Sequence, residues 1–427
     1  MTRSVALTTA VAALAAAALA PAAAPAASWT APRAATRTGS AFAPSVTADA
    51  RGRMAIGFGR RLDGRNRAEV RTGRTRSGLS GDSILLQSQR HAVFGLTVAL
   101  PSDGGRLAAA WLAFSGRAHR LQATTINAAG EFGTPQPLTA EGTESAYEPA
   151  FVAGADGSTT LVWSRRTTSR ARPVLGSIFG AAFALPAPGV GSRPKAAVDA
   201  DGATVVVWTD TAGRVLAAQA PKGGAFGVPV VLSAAGRARD PQIVAGADGG
   251  VVAAWVANAG AGNAVLAAAR PRGGAFGAAV QVAEPAQRAF SPRLAATSAG
   301  EILVAWVNTN SPNGFAGGRG IARLQRLRTT AQPVGARIRL SPDGVRTREA
   351  VLAHDGAGSA FAAWLAVRGG STTVQARRLA PGGITGTVRT LSRGAVEDQP
   401  APALTGGAAR GVAAWTQGGV VRYSVYR

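Results

Sequence analysis

An all-β propeller of four-stranded antiparallel blades is the fold class this sequence predicts, and three observations predict it. The chain repeats with a period near fifty residues. Each repeat brings an apolar run to a tryptophan or its phenylalanine stand-in, and the two termini each hold part of one repeat. Five copies keep a single frame of proline, seven residues, glycine, five residues and an aromatic ring: Pro44/Gly52/Phe58, Pro149/Gly157/Trp163, Pro194/Gly202/Trp208, Pro241/Gly249/Trp255 and Pro292/Gly300/Trp306. Three looser copies end at Trp111, Trp364 and Trp415. A fixed period of this length is the signature of a repeat architecture.

The copy that starts at Pro194 shows how each element arises. Residues 195–200 read as a short strand, and Asp201-Gly202 is a hairpin signal between two apolar runs. Residues 203–208, Ala-Thr-Val-Val-Val-Trp, are β-branched and too few for a helix. A polar turn at 209–213 leads to a third strand at 215–220, Gly223-Gly224 turns the chain, and residues 228–232 make a fourth strand. Alanine favours helices, but Gly, Pro or Asp-Gly recurs about every ten residues and would break a helical ladder each time. Four-stranded sheets repeated radially, with blades of about 40 to 50 residues, are propeller blades. Aromatic spacings of 53, 52, 45, 47, 51, 58 and 51 residues agree with that size. The rings are expected in the core between blades, and the proline at the first position of a strand, where no ladder donor is lost.

Closure follows from the ends. After Trp415 the chain has room for one more strand, residues 420–426, so the last blade lacks its fourth. Ser28-Trp29-Thr30-Ala31-Pro32 matches the fourth-strand entry Ala225-Phe226-Gly227-Val228-Pro229 and is expected to supply it. Eight aromatic copies predict eight blades; seven is the alternative if the copy around Trp111 or Trp364 is not a blade.

Ahead of that strand the sequence reads as a leader. Arg3 precedes an apolar run over residues 5–20, then small residues with Ala24-Pro25-Ala26 as the cleavage zone. The expectation is a signal peptide over 1–27 and a single propeller domain over 28–427, secreted or held at the cell surface, monomeric, with no transmembrane segment after the leader. The apolar run is shorter than the roughly 20 residues of a spanning helix. The chain has no cysteine, which excludes disulfides, lipoprotein attachment and thiolate metal sites.

The formal charge is +24, and of 46 basic residues only Lys195 and Lys222 are lysines. A field of that sign favours anionic partners. Arginine-rich base composition explains the arginine-to-lysine ratio, but not why acids number only 22. Basic density peaks in the first repeat (Arg60, Arg61, Arg65 and Arg67 at its centre) and again between Arg319 and Arg348, through Arg323, Arg326, Arg328, Arg337 and Arg339. Both stretches lack the interleaved aromatics that single-stranded nucleic-acid binders use for stacking. The expected partner is an anionic polysaccharide or cell-envelope polymer, not a sequence-specific nucleic acid, and neutralising the four first-repeat arginines is expected to leave the blade folded.

In architecture the chain resembles secreted β-propellers of the sialidase-like and WD40-like kind, over essentially all of the mature sequence. The sialidase Asp-box, Ser-x-Asp-x-Gly-x-Thr-Trp, has no intact copy; Gly-Ala-Asp-Gly-Ser-Thr-Thr-Leu-Val-Trp, ending at Trp163, is nearest. That resemblance implies three carboxylate-binding arginines, a Tyr/Glu pair and an Asp acid. The early Arg-Ile-Pro motif is missing, while Tyr147 lies beside Glu144 and Glu148. His91, His119 and His354 fall at scattered places with no metal-type spacing and no fixed partner, and no P-loop, nucleotide fingerprint, zincin helix or Gly-x-Ser-x-Gly elbow is present. No cofactor, metal or catalytic set is therefore assigned. The reading is a non-enzymatic binding or scaffold module, with a sialidase-like glycan hydrolase as the alternative. With strands in order, the second-to-third-strand loops and the inter-repeat loops share one face, and their chemistry differs from copy to copy. That face carries Glu144, Tyr147, Glu148, Arg165, Arg166, Arg170, Arg172, Arg193, Arg239, Asp240, Arg288, Arg346 and Arg348. Variable loops on a rigid scaffold are where function concentrates. The candidate ligand-binding residues are Arg60, Arg61, Arg65, Arg67, Tyr147, Glu148, Arg165, Arg166, Arg193, Arg239, Arg346 and Arg348.

Overall fold

The computed structural model describes residues 27–37, 40–101, 105–127, 130–139, 145–153, 159–165, 169–175, 178–179, 183–184, 192–236, 238–258, 262–284, 288–309, 320–383, 385–396, 401–407 and 409–427. The leader expected over 1–27 lies almost wholly outside them. Among the described residues the protein is a β-propeller of four-stranded antiparallel sheets, and its one helical element is the single turn Pro381–Gly383.

The first sheet holds Ser40–Ala48, Arg53–Leu62, Arg65–Arg74 and Gly78–Leu79, with Ile84–Gln89 as an extra strand. The second holds Val93–Ala99, Ala108–Phe114, His119–Thr125 and Gln136–Pro137, and the third Ala146–Ala153, Thr159–Arg165, Ser169–Leu175 and Ile178–Phe179, joined by Phe183–Ala184. The fourth runs Ser192–Val198, Thr204–Thr209, Val215–Ala220 and Val230–Val231; the fifth Arg239–Ala245, Val251–Asn258, Asn263–Arg270 and Val280–Ala283. The sixth runs Ala289–Ala296, Glu301–Thr309, Gly320–Arg328 and Pro333–Arg339, and the seventh Arg346–His354, Ala360–Arg368, Ser371–Leu379 and Arg389–Thr390. In the last, Ala403–Gly407, Arg410–Gln417 and Val420–Tyr426 are completed by Arg33–Ala34 from the other end of the chain. Strand pairing thus separates eight sheets, those around Trp111 and Trp364 included. A count of blades nevertheless gives seven, the alternative number, rather than the eight that the aromatic copies predict.

The aromatic rings sit between sheets, as their spacing predicts. Trp208 packs with Val162 of the third sheet and Val206 and Leu216 of its own, and Trp255 with Val207 and Val215 of the fourth. Trp111, Trp163, Trp306, Trp364 and Trp415 occupy the corresponding junctions, and Phe58 fills the one between the first and last sheets beside Val412 and Val421. All eight rings are buried. The innermost strands touch in unbroken succession from the first sheet round to the last and back.

Three of the described turns between first and second strands share one device. The Asp199 carboxylate accepts the backbone N–H of Asp201 (3.0 Å) and Ala203 (2.9 Å), while Gly202 takes φ 77°, a conformation glycine adopts without strain. Asp49 and Asp355 repeat it at their own turns. Asp199 also joins neighbours: its other oxygen accepts from Arg270 Nη2 of the fifth sheet at 2.5 Å, with both side chains 2% exposed.

Ring closure is as the termini predict. Arg33 and Ala34 pair with Tyr423 and Arg422, Trp29 bridges Tyr426, and Thr30 N–H donates to Val425 O at 2.9 Å. Trp29 stands edge-on to Phe361 at 5.5 Å, binding the closing strand to the seventh sheet.

The proline is placed differently from the expectation. Pro44, Pro149, Pro194, Pro241 and Pro292 lie inside the innermost strands, each just where the register slips. The residue before it turns left-handed in four of these copies: Ala43 (φ 48°), Glu148 (49°), Asp240 (53°) and Ser291 (50°). A bulge frees one position from the ladder, so proline costs no hydrogen bond there, and it re-aims the side chains beside it.

Candidate functional site

These bulges build the site. An innermost strand starts on the face of the inter-repeat loops and descends along the central channel, so the residues flanking each bulge gather at the channel mouth on that face. A cleft of about 220 Å³ lies there, lined by Glu148, Pro149, Lys195, Asp240, Pro241, Gln242 and Arg293. One charged residue comes from each of the third, fourth, fifth and sixth sheets, alternating in sign around the channel. Arg293 continues the belt by pairing with Glu349 of the seventh sheet at 3.4 Å. The belt thus sets carboxylates and cations side by side around the channel mouth.

An aromatic cluster adjoins the belt through Tyr147, the residue before Glu148. His119 lies 5.5 Å from Tyr147, 4.9 Å from Phe94 and 5.2 Å from Phe114, and His91 is 6.1 Å from Phe114. Two histidines that the sequence leaves without a fixed partner therefore meet in one cluster, because a hairpin returns His119 beside Phe114 and an inter-repeat loop carries His91 to it. Tyr147 is 38% exposed, and His119 Nδ1 is buried with no hydrogen-bond partner among the described residues. The ring of Tyr147 thus stands perpendicular to the His119 ring, with part of its surface in solvent.

The other candidates divide. Arg239 starts the fifth sheet, with its guanidinium over the Phe290 ring at 5.1 Å, a cation–π contact across the junction to the sixth. Arg346 and Arg348 start the seventh sheet, half-buried, opposite Val367 and Leu365. Arg165 and Arg193 are described through their backbones alone, at the ends of strands on this face. Arg170 and Arg172 pair with Trp163 and Leu161, inside a strand and not in a loop. Arg166, Glu144 and Arg319 lie outside the described residues.

The basic stretches are largely spent on structure. Arg60 donates through Nε (3.0 Å) and Nη2 (2.9 Å) to Glu69, whose side chain is 2% exposed and also accepts from Ser83 at 2.6 Å. Arg65 donates to Ser88, and Arg67 pairs with Asp63 at 3.4 Å. Neutralising Arg60 would leave a buried carboxylate without its cation, so the expectation that all four arginines can be neutralised without harm to the blade is corrected for Arg60. Arg61 stays exposed. In the second stretch Arg326 pairs with Glu301, Arg337 with Glu284 (2.9 Å) and Arg339 with Asp343. The sequence reading missed Lys195, Arg293 and Glu349, although the first two directly follow the repeat proline. Among the described residues no cluster of His, Asp and Glu could hold a metal, and no helix is long and apolar enough to cross a membrane.

No family model and no curated protein matches the sequence. Solved structures do match in shape. The BP39L lectin from Burkholderia pseudomallei is similar at TM-score 0.55 and 14% identity, over 82% of this chain and 99% of the lectin. Chaetomium thermophilum Sqt1, bound to the N-terminus of the ribosomal protein L10, is similar at 0.51 and 14%, over 91% and 97%. Prolyl oligopeptidase B from Galerina marginata gives 0.52 at 12% identity, over 86% of this chain and 52% of that enzyme. At these identities the likeness is one of fold: the chain is a β-propeller, similar in architecture to lectin and WD40-like propellers, and propellers carry unrelated activities.

Proposed function

We propose that this protein is an exported, monomeric glycan-binding propeller that takes an anionic glycan or envelope polymer at the channel mouth on its variable-loop face. The observation that carries the reading is the juxtaposition of the exposed Tyr147 with the alternating belt of Glu148, Lys195, Asp240 and Arg293. A sugar presents an apolar face that suits an aromatic ring and hydroxyls that suit carboxylates, while Lys195 and Arg293 suit its acidic group. The net charge of +24 raises the local concentration of a polyanion before it docks. The same proposal includes a ring in which all eight sheets serve as blades, supported by the eight aromatic junctions and the unbroken circle of inner strands.

Purified protein on an array of neutral, carboxylated, sulfated and phosphorylated glycans tests the function. Acidic glycans are expected to be retained at 50 mM salt, with affinity falling as salt rises because part of the attraction is screened. Retention of no glycan at the lowest salt would overturn the reading. Release of reducing ends from a bound glycan would favour hydrolysis at the adjacent Tyr147 and Glu148 instead.

A further inference from the structure

At the opposite mouth of the channel, where the first turns of the sheets gather, lies a second cavity of about 470 Å³. Its wall is aliphatic and comes from successive sheets: Val152 of the third, Ala196 and Val198 of the fourth, Ile243 of the fifth, Ala296 of the sixth, with His354 of the seventh. Its size falls within the range of small-molecule sites, which are mostly apolar with a few placed polar groups.

The polar groups around it are nearly all engaged. Asp199 is taken up by Arg270 and two backbone N–H groups, and Thr297 Oγ1 accepts from Glu301 N–H at 3.2 Å. Ser298 stays at the exposed rim. His354 is the exception. Its Nδ1 accepts the Gly356 N–H at 3.2 Å, so the neutral ring carries its proton on Nε2, which is a donor. The His354 ring lies exposed at the rim of the cavity, where partial desolvation by its neighbours lowers its pKa from the usual histidine value against the opposite pull of Asp355, whose carboxylate is held by the N–H groups of Ala357 and Ser359.

We propose that this cavity is a second binding site, for a neutral and largely apolar small molecule bearing one oxygen acceptor, such as a ketone, ester or alcohol. Its hydrocarbon part lies against Val152, Val198 and Ile243, and its oxygen accepts from His354 Nε2–H. The site is separate from the glycan face, at the other end of the channel, and does not depend on that face for its chemistry.

Calorimetric titration of the full chain with 2-nonanone tests it, using Ala247→Trp at the exposed rim, Ala245→Phe on the wall and His354→Leu. Melting curves check that each variant is folded. The expected result is saturable binding by the wild type, lost in whichever filling variant retains its fold, and weakened about tenfold in His354→Leu, the worth of one hydrogen bond. No heat with the wild type at millimolar ketone would overturn the proposal. So would wild-type affinity in a folded filling variant, and wild-type affinity in His354→Leu would overturn the role of the imidazole.

Discussion

Replacing Trp255 with alanine is expected to destabilise the protein by about 3–5 kcal/mol, and Trp208→Ala by a similar amount. Each ring is fully buried at a junction of two sheets, so truncation leaves a cavity that neither sheet can fill without moving against the other. The indole N–H groups of Trp208 and Trp255 have no hydrogen-bond partner among the described residues, whereas Trp364 Nε1 donates to Gln375 at 3.1 Å. Phenylalanine is therefore expected to be tolerated better at 208 or 255 than at 364, where it strands a glutamine. Denaturant unfolding of the five variants checks both statements. Full stability in either alanine variant would mean that the junction is not packed as described.

The second large effect concerns closure. A chain starting at Ser40 loses the pairs of Arg33 and Ala34 with the last sheet, the exchange of bonds between Ser28 and Arg427, and the Trp29 ring against Phe361 and Tyr426. At about 1 kcal/mol for each hydrogen bond, the loss exceeds about 4 kcal/mol before the exposed edge is counted. That edge is also a template for pairing between chains. A much lower melting temperature is expected, with partial recovery on adding a peptide spanning residues 28–37. A truncated protein that melts with the full chain would contradict closure by this strand.

The architecture was legible because its signals are large and local. An aromatic ring at every fiftieth residue reports a junction whatever the loops do, and the orphan strands at the two ends report closure by simple shortage. The proline was misread for a physical reason: in a strand interior it removes a ladder bond, and sequence alone does not reveal the bulge that has already removed it. The charges were the least legible part. Arg270 finds Asp199 at a separation of 71 residues across two sheets, and Arg60 is committed to a buried Glu69 that looks like any surface acid in sequence. Density of arginine therefore pointed to the first repeat, while the bulges collected fewer, better-placed charges at the channel mouth. The aromatic cluster escaped for the same reason, since His91, Phe94, Phe114, His119 and Tyr147 meet only once two sheets are side by side.

The most direct test of the channel mouth as the glycan site is a paired titration of the strongest acidic array ligand. The proteins are the wild type, Tyr147→Ala, Lys195→Ala and the distal double variant Arg61→Ala/Arg65→Ala, which spares the Arg60–Glu69 pair. Loss of about tenfold or more is expected for Tyr147→Ala, consistent with the roughly 0.5–1.5 kcal/mol of an aromatic contact plus its buried area, and a weaker response to salt is expected for Lys195→Ala. The distal double variant is expected to bind within a few-fold of the wild type. Undiminished binding by Tyr147→Ala, with the loss falling on the distal arginines instead, would contradict the account.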